Sequence, residues 1–485
     1  MVATPKQNKQ ARLYYKGIVD LCNLDVKAIN WHYTARIKTA NGDFPIDKVS
    51  SFDITKDYEI GFTDNFVIDV LMLKKHYIQT LYPLRNNFQV ELTLTQVGEK
   101  EDGMKVNNPK KVTEVYRGFL VNPQDLGQST QSTSSPSNNT DPNADTTQIN
   151  VKIQLLHPSI EIIMKTTFGG NFHGVPGEIV KCMLSKVFED MQIPKGGKRP
   201  EGVDLIPPDN TKETTDVVIP HDTNILDLPR KIQNEWYGIY NYGIGSYLHN
   251  NIWYLYPLYN YSIYNKSKTR LVINVMPKSE IMDSPRTYHV YNREVNIICA
   301  GGVESQDNAN TNTTNTGDGN TQYDPGKLRE ESVQQTPEGV YINPSSAKKQ
   351  FVQSKREDDL NYAPLVKERL TTSLQKTMSN IAQKNGIALS FVWEYANPFL
   401  LVPGMPVKVV YFKEDVKYEL TGVLLKQVGA FQLVGNQTTN KHLGSVGLAV
   451  LVDQDQFNQK EKQQYKSTTA GVGKSLISNV LSIFK

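Results

Sequence analysis

The chain has 485 residues, 38% of them hydrophobic, enough for about three domains at roughly 150 residues each. Its three cysteines, Cys22, Cys182 and Cys299, are odd in number and far apart, with no C-x-x-C. That excludes a disulfide scaffold and a zinc ribbon, and suits assembly in a reducing compartment. Lys+Arg 53 against Asp+Glu 50 leaves a net charge of +3, too even a balance for a strong nucleic-acid field.

The stretch Met1–Tyr15 lacks an apolar core, so no secretory signal is expected. The longest apolar runs, Phe66–Leu73 and Val446–Val452, fall far short of the roughly 20 residues that span a bilayer. Tyrosine is frequent, at 25 residues, and β-branched residues are common, which points to a mainly β protein with some α.

Phe88–Thr95 alternates strictly, with Phe88, Val90, Leu92 and Leu94 on one face. Val115–Val121 follows, with Gly118 inside it, and then Ile149, Val151, Ile153 and Leu155 alternate again. Period-two patterning predicts three half-buried antiparallel strands. The segment 128–147 between the last two is rich in Ser, Thr, Asn and Asp, and is expected to be a flexible loop.

Helical spacing comes next. Ile179, Val180, Met183, Leu184, Val187 and Phe188 form one stripe within Pro176–Met191. A second helix is expected after His221, capped by Asp222 or Thr223, with Ile225, Leu228, Ile232 and Trp236 on one face and Gly238 at its end. Pro229 fits only the first turn of that helix. Tyr237–Tyr264 then holds nine of the 25 tyrosines. Either a sugar- or base-stacking platform or a Tyr-rich sheet packed beside a helix would use them, and the alternation at Trp253-Tyr254-Leu255-Tyr256 favours the sheet.

A second polar loop is expected over 305–360, its most biased part being Ser305–Asp324. A helix over 364–385 carries the stripe Val366, Leu370, Leu374, Met378 and Ile381. The strands Pro406–Phe412, Tyr418–Lys426 and Val446–Val452 close the globular part. They repeat the order of the first three, again with a glycine, Gly422, in the middle strand. One small barrel carried twice is the expectation. After a polar connector, Leu476, Ile477, Val480, Leu481 and Phe484 make a short amphipathic tail helix, a form that docks on a partner.

Catalytic and cofactor motifs fail one by one. Gly471-Val472-Gly473-Lys474-Ser475 lacks the P-loop's first glycine, since Thr468 stands there. Gly243-Ile244-Gly245 lacks the third glycine of a dinucleotide loop, since Leu248 stands there, and a strand follows. The eight histidines have no metal-ligand spacing, and no G-x-S-x-G occurs. No catalytic, cofactor or metal residue is assigned, and the chain is read as a non-enzyme with no cofactor. A hydrolase built on paired carboxylates stays open as an alternative.

Val217–Tyr256, a strand, a polar cap, a helix ending Asn234-Glu235-Trp236-Tyr237-Gly238 and then aromatic strands, resembles the central module of baseplate hub proteins of contractile phage tails, of the T-even type. It is similar as well to the hub part of type VI secretion spike proteins. The order of elements over roughly 10–455 agrees, with Asp69–Asn86 crossing between strands and Asn397–Pro406 leading into the last sheet. The resemblance implies two similar tube-type β-barrels, at 10–170 and 285–455, around an α+β module at 171–284, with a tail at 456–485. It implies a structural hub in the virion baseplate, assembled in the host cytoplasm, that adapts a sixfold tube to a threefold spike. It further implies a homotrimer whose partners are the tail tube or its initiator, the central spike and the baseplate wedges, with genome DNA only in transit. The alternatives are a cell-wall-degrading or sugar-binding tail protein, or the hub of a phage-derived injection or secretion machine.

Overall fold

The computed structural model describes residues 30–121 and 148–300 with breaks at 40–41, 47, 85–87, 98–110, 193–198, 236–237, 266, 268, 277–286 and 292. It also describes 305–306, 332–336, 339–343, 379, 382–383, 385–453 with breaks at 398, 414–415 and 436–440, and 456. The expected loop 128–147, most of the helix 364–385, Trp236 and the tail stripe Leu476, Ile477, Val480, Leu481 and Phe484 lie outside these residues.

The fold is mainly β. The first strands are β1 (Asn30–Thr39), β2 (Gly42–Pro45), β3 (Lys48–Asp57), β4 (Asn65–Leu73), β5 (Phe88–Val97), β6 (Lys111–Leu120) and β7 (Gln148–Leu156). The middle holds β8 (Gly170–Gly174), β9 (Gly202–Leu205), β10 (Thr214–Ile219), β11 (Ile244–His249) and β12 (Ile252–Pro257). Then come β13 (Arg270–Met276), β14 (Tyr288–Tyr291), β15 (Glu294–Ala300), β16 (Ser305–Gln306), β17 (Ser332–Thr336) and β18 (Gly339–Asn343). The last are β19 (Gly386–Glu394), β20 (Pro406–Lys413), β21 (Val416–Val434) and β22 (Lys441–Asp453). Three helices matter here: α1 (Ile160–Lys165), α2 (Pro176–Asp190) and α3 (Leu228–Glu235).

Two closed cycles of hydrogen-bonded strands share β21 and β22. Ring A runs β1–β5–β6–β7–β4–β3–β21–β22 and returns to β1 through Trp31 opposite His442. Ring B runs β21–β20–β13–β15–β19–β22. Closure leaves neither ring with a free edge along these strands. β21 is 19 residues long, and it changes partners along its length. Residues 416–423 pair with β20, and after a register shift between Leu424 and Lys426, residues 426–432 pair with β3. An extra residue in one strand increases local twist, which suits the passage from one ring to the next.

Alternation decides which side faces each core. In β5, Phe88, Val90, Leu92 and Leu94 are buried as their spacing predicts, and Val151, Ile153 and Leu155 of β7 face them. Ring B is filled by Leu389, Phe391, Trp393, Val407, Val409, Leu420, Val446, Leu448 and Val450. The module has its own core, where the α2 stripe Ile179, Val180, Met183, Leu184, Val187 and Phe188 packs with Ile225, Leu228 and Ile232, and with Trp253 of β12. The Tyr-rich segment is an antiparallel β11–β12 pair with β9 added in parallel. Tyr240, Tyr247, Tyr256 and Tyr264 are buried in it, so these rings are not a stacking platform.

Several expectations need correction. Asp69–Leu73 completes β4, and the crossing is made by the helical turns Lys74–His76, Tyr77–Leu81 and Tyr82–Leu84. The second module helix starts at Leu228, five residues after Thr223. Asn224 organises its entry, accepting from the Leu226 N–H at 2.9 Å through its side chain and from the Leu228 N–H through its carbonyl. Proline in the first turn and a local Asx turn before it account for the later start. The polar region 305–360 contains β16, which pairs with β19, and the β17–β18 hairpin. β13, expected inside the module, belongs to ring B, because it hydrogen-bonds β15 and β20. The last strands are longer than their apolar stretches, since β21 continues through Val434 and β22 starts at Lys441.

Candidate functional site

The most elaborate constellation of side chains lies where ring A meets the module. The β3–β4 connection, 57–64, is gripped on all sides. Leu248 of β11 donates its N–H to the Phe62 carbonyl at 2.8 Å, and Tyr256 of β12 donates its hydroxyl to the Tyr58 carbonyl at 2.7 Å. Arg230 of α3 donates to the carbonyls of Glu59 and Ile60, at 2.9 and 3.2 Å. Tyr259 donates to the Glu59 carboxylate at 2.6 Å. Four module residues thus fix one short loop through five hydrogen bonds, and the Tyr58 and Tyr247 rings meet edge-on beneath it.

Three ionisable side chains are sealed within this joint. Lys56 at the end of β3 is 0% exposed, Asp64 is 7% and His249 at the end of β11 is 1%. His249 Nδ1 lies 2.6 Å from Asp64 Oδ2, and Lys56 Nζ lies 3.7 Å from the same oxygen. Burial pushes the Asp64 carboxyl up, but His249 and then Lys56 outweigh it and hold its pKa at about 2. Burial lowers the pKa of both Lys56 and His249, with Asp64 opposing in each case. The Asp64 carboxylate thus pairs with Lys56 and accepts the Nδ1–H of His249. Lys56 also sits over the faces of Phe66 and Phe399, at 5.6 and 5.7 Å, where ring quadrupoles favour a cation.

The hairpin turn that carries His249 is itself pinned. Asn250 and Asn251 both have positive φ, 49° and 63°, as a two-residue type I′ turn requires. His157, between β7 and α1, places Nε2 2.7 Å from Asn251 Oδ1, while its Nδ1 accepts the Ser159 N–H at 3.3 Å. Asparagine tolerates left-handed backbone because its short amide side chain bonds locally.

An aspartate orienting a histidine is the first half of a hydrolytic relay. Here the other ring nitrogen, Nε2, meets the Asn250 amide at 2.7 Å instead of a hydroxyl or thiol, and the ring is sealed from solvent. This geometry holds two pieces together, and no substrate reaches it. Among the described residues no group of three or more His, Cys, Asp or Glu side chains is placed to hold a metal ion. Among them, too, no helix is long and apolar enough to cross a membrane.

The two glycines singled out by sequence stand in similar places with different neighbours. Gly118 of β6 lies opposite Phe88 of β5 and Leu155 of β7, and a Cβ there would overlap the Phe88 ring. Gly422 of β21 lies opposite Val407 of β20 and Val452 of β22, and a Cβ there would strike the Leu451 carbonyl. Sequence reasoning missed the joint altogether. Lys56, Asp64 and His249 are far apart in the chain and have no motif spacing. The only local signal is Asn250-Asn251 between two apolar alternating runs, a hairpin mark.

No protein-family model and no curated protein matches the sequence. Among solved structures, the chain is similar to a 43 kDa tail protein of prophage MuSo2 from Shewanella oneidensis, at 10% identity and a TM-score of 0.39, over 88% of this chain and 98% of that one. It is also similar to two structures of a PdpA–VgrG complex, one lidless and one, from Francisella, lidded. Identity is 10% in both, with TM-scores of 0.33 and 0.34, over 89% and 92% of this chain. The chain spans 66% and 56% of the length of those two chains.

Proposed function

We propose that the protein is a structural hub of a phage tail baseplate, or of a phage-derived injection machine, that joins a sixfold tube to a threefold spike. The observation that carries this reading is the pair of closed strand rings in one chain, locked together by the shared strands β21 and β22. Three such chains in a cyclic trimer present six rings, which is the number a sixfold tube meets. In this reading the rings of β5–β6–β7 and β20–β21–β22 are the two similar barrels, and Gly118 and Gly422 are equivalent positions. Spike, tube and wedge proteins are the partners, and genome DNA passes through the central channel.

The tail stripe Leu476, Ile477, Val480, Leu481 and Phe484 is assigned to docking on the spike or a neighbouring baseplate chain. It is too short to be a stable helix by itself, since isolated helices below about 12–15 residues are marginal. Replacing Leu481 and Phe484 with Asp leaves the trimer intact and lowers the partner's occupancy, as native mass spectrometry of the mixture would record.

The deciding experiment is the symmetry of the full-length protein by electron microscopy with mass measurement. A ring-shaped trimer with a central channel supports the hub. A monomer, or a ring of six chains, overturns it.

A further inference from the structure

We propose that the joint between ring A and the module is an acid-released clasp, in which His249 must stay neutral for the β3–β4 connection to remain docked on the β11–β12 hairpin. The argument begins with hydrogen-bond direction. Asp64 Oδ2 is an acceptor, so the ring proton of His249 is on Nδ1. The Asn250 amide nitrogen can only donate, so Nε2, 2.7 Å away, is the lone pair that accepts from it. A second proton on the ring would be placed on Nε2 and would face a donor.

The surroundings make that proton unwelcome on each side. From β3, Lys56 brings a cation to the same carboxylate oxygen, and from the β3–β4 connection Tyr58 brings a buried hydroxyl. From the end of the 57–64 connection comes Asp64, the single anion of the cluster, already shared between two partners. Tyr247 on β11 lies beside Asp64, and the ring of Tyr254 on β12 is 6.3 Å from the imidazole. Protonation would leave two cations and one carboxylate in a space closed to water, where unbalanced charge is costly. Burial also keeps His249 below the ordinary histidine pKa, which agrees with the geometry.

The consequence is directional. The contacts nearest the cluster, Leu248 N–H to Phe62 O and Tyr256 Oη to Tyr58 O, link the two pieces directly. When His249 gains a proton, escape to solvent requires those contacts to part, so the connection and the hairpin open together. Of the cluster, only Lys56 belongs to a ring ladder, where it lies opposite Gln427 of β21, and Asp64 and His249 lie outside those ladders, so the rings stay folded. The inference concerns motion between ring A and the module and does not depend on the trimer.

Hydrogen–deuterium exchange on the full-length protein tests it. Rates of peptides covering 57–64 and 244–257 are compared at pH 7.5 and 5.0, corrected for intrinsic chemistry and normalised to β19. The wild type should open at least tenfold more often at pH 5.0. In Asn250→Asp, a carboxylate accepts the new Nε2 proton, and the acid response should fall below threefold. His249→Gln can still donate to Asp64 and cannot titrate, so its opening, whatever its level, should be independent of pH. An unchanged wild-type rate, or an acid response that persists in His249→Gln, would overturn the proposal.

Discussion

Ring A and ring B share two strands yet are built differently. Every strand pair in ring A is antiparallel. Ring B contains β13, which is parallel to both β15 and β20. Parallel neighbours need crossover connections, which the chain makes between Met276 and Glu294, by way of β14, and between Met276 and Pro406. Their interiors differ as well. Ring A buries the charged Lys56, with Gln427 and His442 of the shared strands, whereas the strands that belong to ring B alone bury the neutral Asn274 among apolar residues such as Leu389, Trp393, Val407 and Val409. Ring B thus resembles an ordinary apolar core, and ring A spends some of its stability on polar contacts that specify what it docks against. Breaking a buried pair is more costly than never having had one, so the polar ring is where single substitutions should do most harm.

The largest expected effect follows from that difference. Asp64→Ala leaves Lys56 charged and sealed without its carboxylate, and His249 without its acceptor. Losing one partner of a buried pair costs about 3–5 kcal/mol. Urea unfolding followed by Tyr fluorescence should show this loss, and Lys56→Met with Asp64→Leu together should recover much of it. If Asp64→Ala changed stability by less than about 1 kcal/mol, the contrast between the two interiors would be wrong.

A second, pH-dependent difference belongs to ring A alone. His442 sits where β22 closes onto β1, with Nδ1 accepting from the Tyr33 N–H at 3.1 Å and Nε2–H donating to the Val49 carbonyl at 3.0 Å. Burial pushes its pKa down to about 4, with the Val49 carbonyl opposing and His32 adding to the fall. The folded state therefore takes up a proton later than the unfolded chain, whose histidine titrates near 6.5. Stability from this residue is complete above pH 6.5 and is lost as pH falls from 6.5 towards 4, by about 3 kcal/mol over that window. Unfolding measured at pH 7 and pH 4.5 should show the slope, and His442→Gln should remove its share, leaving the share of His249, which burial also holds below the ordinary histidine pKa.

Much of ring A was legible because half-buried strands alternate, as Phe88 to Leu94 do. β1 carries the same signal in Trp31, Tyr33, Ala35 and Ile37, all buried, but Thr34, Arg36 and Lys38 dilute its apolar content and hide the strand in the sequence. Ring B was harder. In β13 and β15 ten of the fourteen residues are apolar, with runs such as Leu271–Ile273 and Ile297–Ala300 that have no period to read. The module's helix α2 was plain from its stripe, while the start of α3 was misplaced because Asp222 and Thr223 are good caps in type but Asn224 makes the turn. The joint was invisible, since Lys56, Asp64 and His249 meet only when three elements are brought together, and no spacing along a chain encodes that.

The paired glycines sharpen the comparison further. Gly422→Ala sets a methyl against the Leu451 carbonyl in the ladder shared by both rings, whereas Gly118→Ala sets one against the Phe88 ring. A side chain can shift and a ladder carbonyl cannot, so the Gly422 change should be the more damaging, at about 1–3 kcal/mol, and the Gly118 change smaller. Thermal unfolding of the two single variants would check the order. A reversed order would mean that Phe88 is held more rigidly than the shared ladder.

The smallest effect concerns the connections of the two strand triplets. In ring B, β21 and β22 are joined by 435–440, six residues, whereas in ring A, β6 and β7 are joined by 121–147, which is 27. Closure entropy grows only with the logarithm of length, about 0.6 kcal/mol per doubling. Deleting 131–146 removes 16 residues and shortens the longer connection from 27 to 11, a little more than one halving. If the segment contributes no contacts of its own, the deletion should stabilise ring A slightly, by roughly 0.8 kcal/mol at most. Chemical denaturation of the full chain and of the deletion variant would resolve the sign. A loss of more than about 1 kcal/mol would mean that the connection, unlike its short counterpart in ring B, contributes contacts to the folded ring and is no mere length of chain.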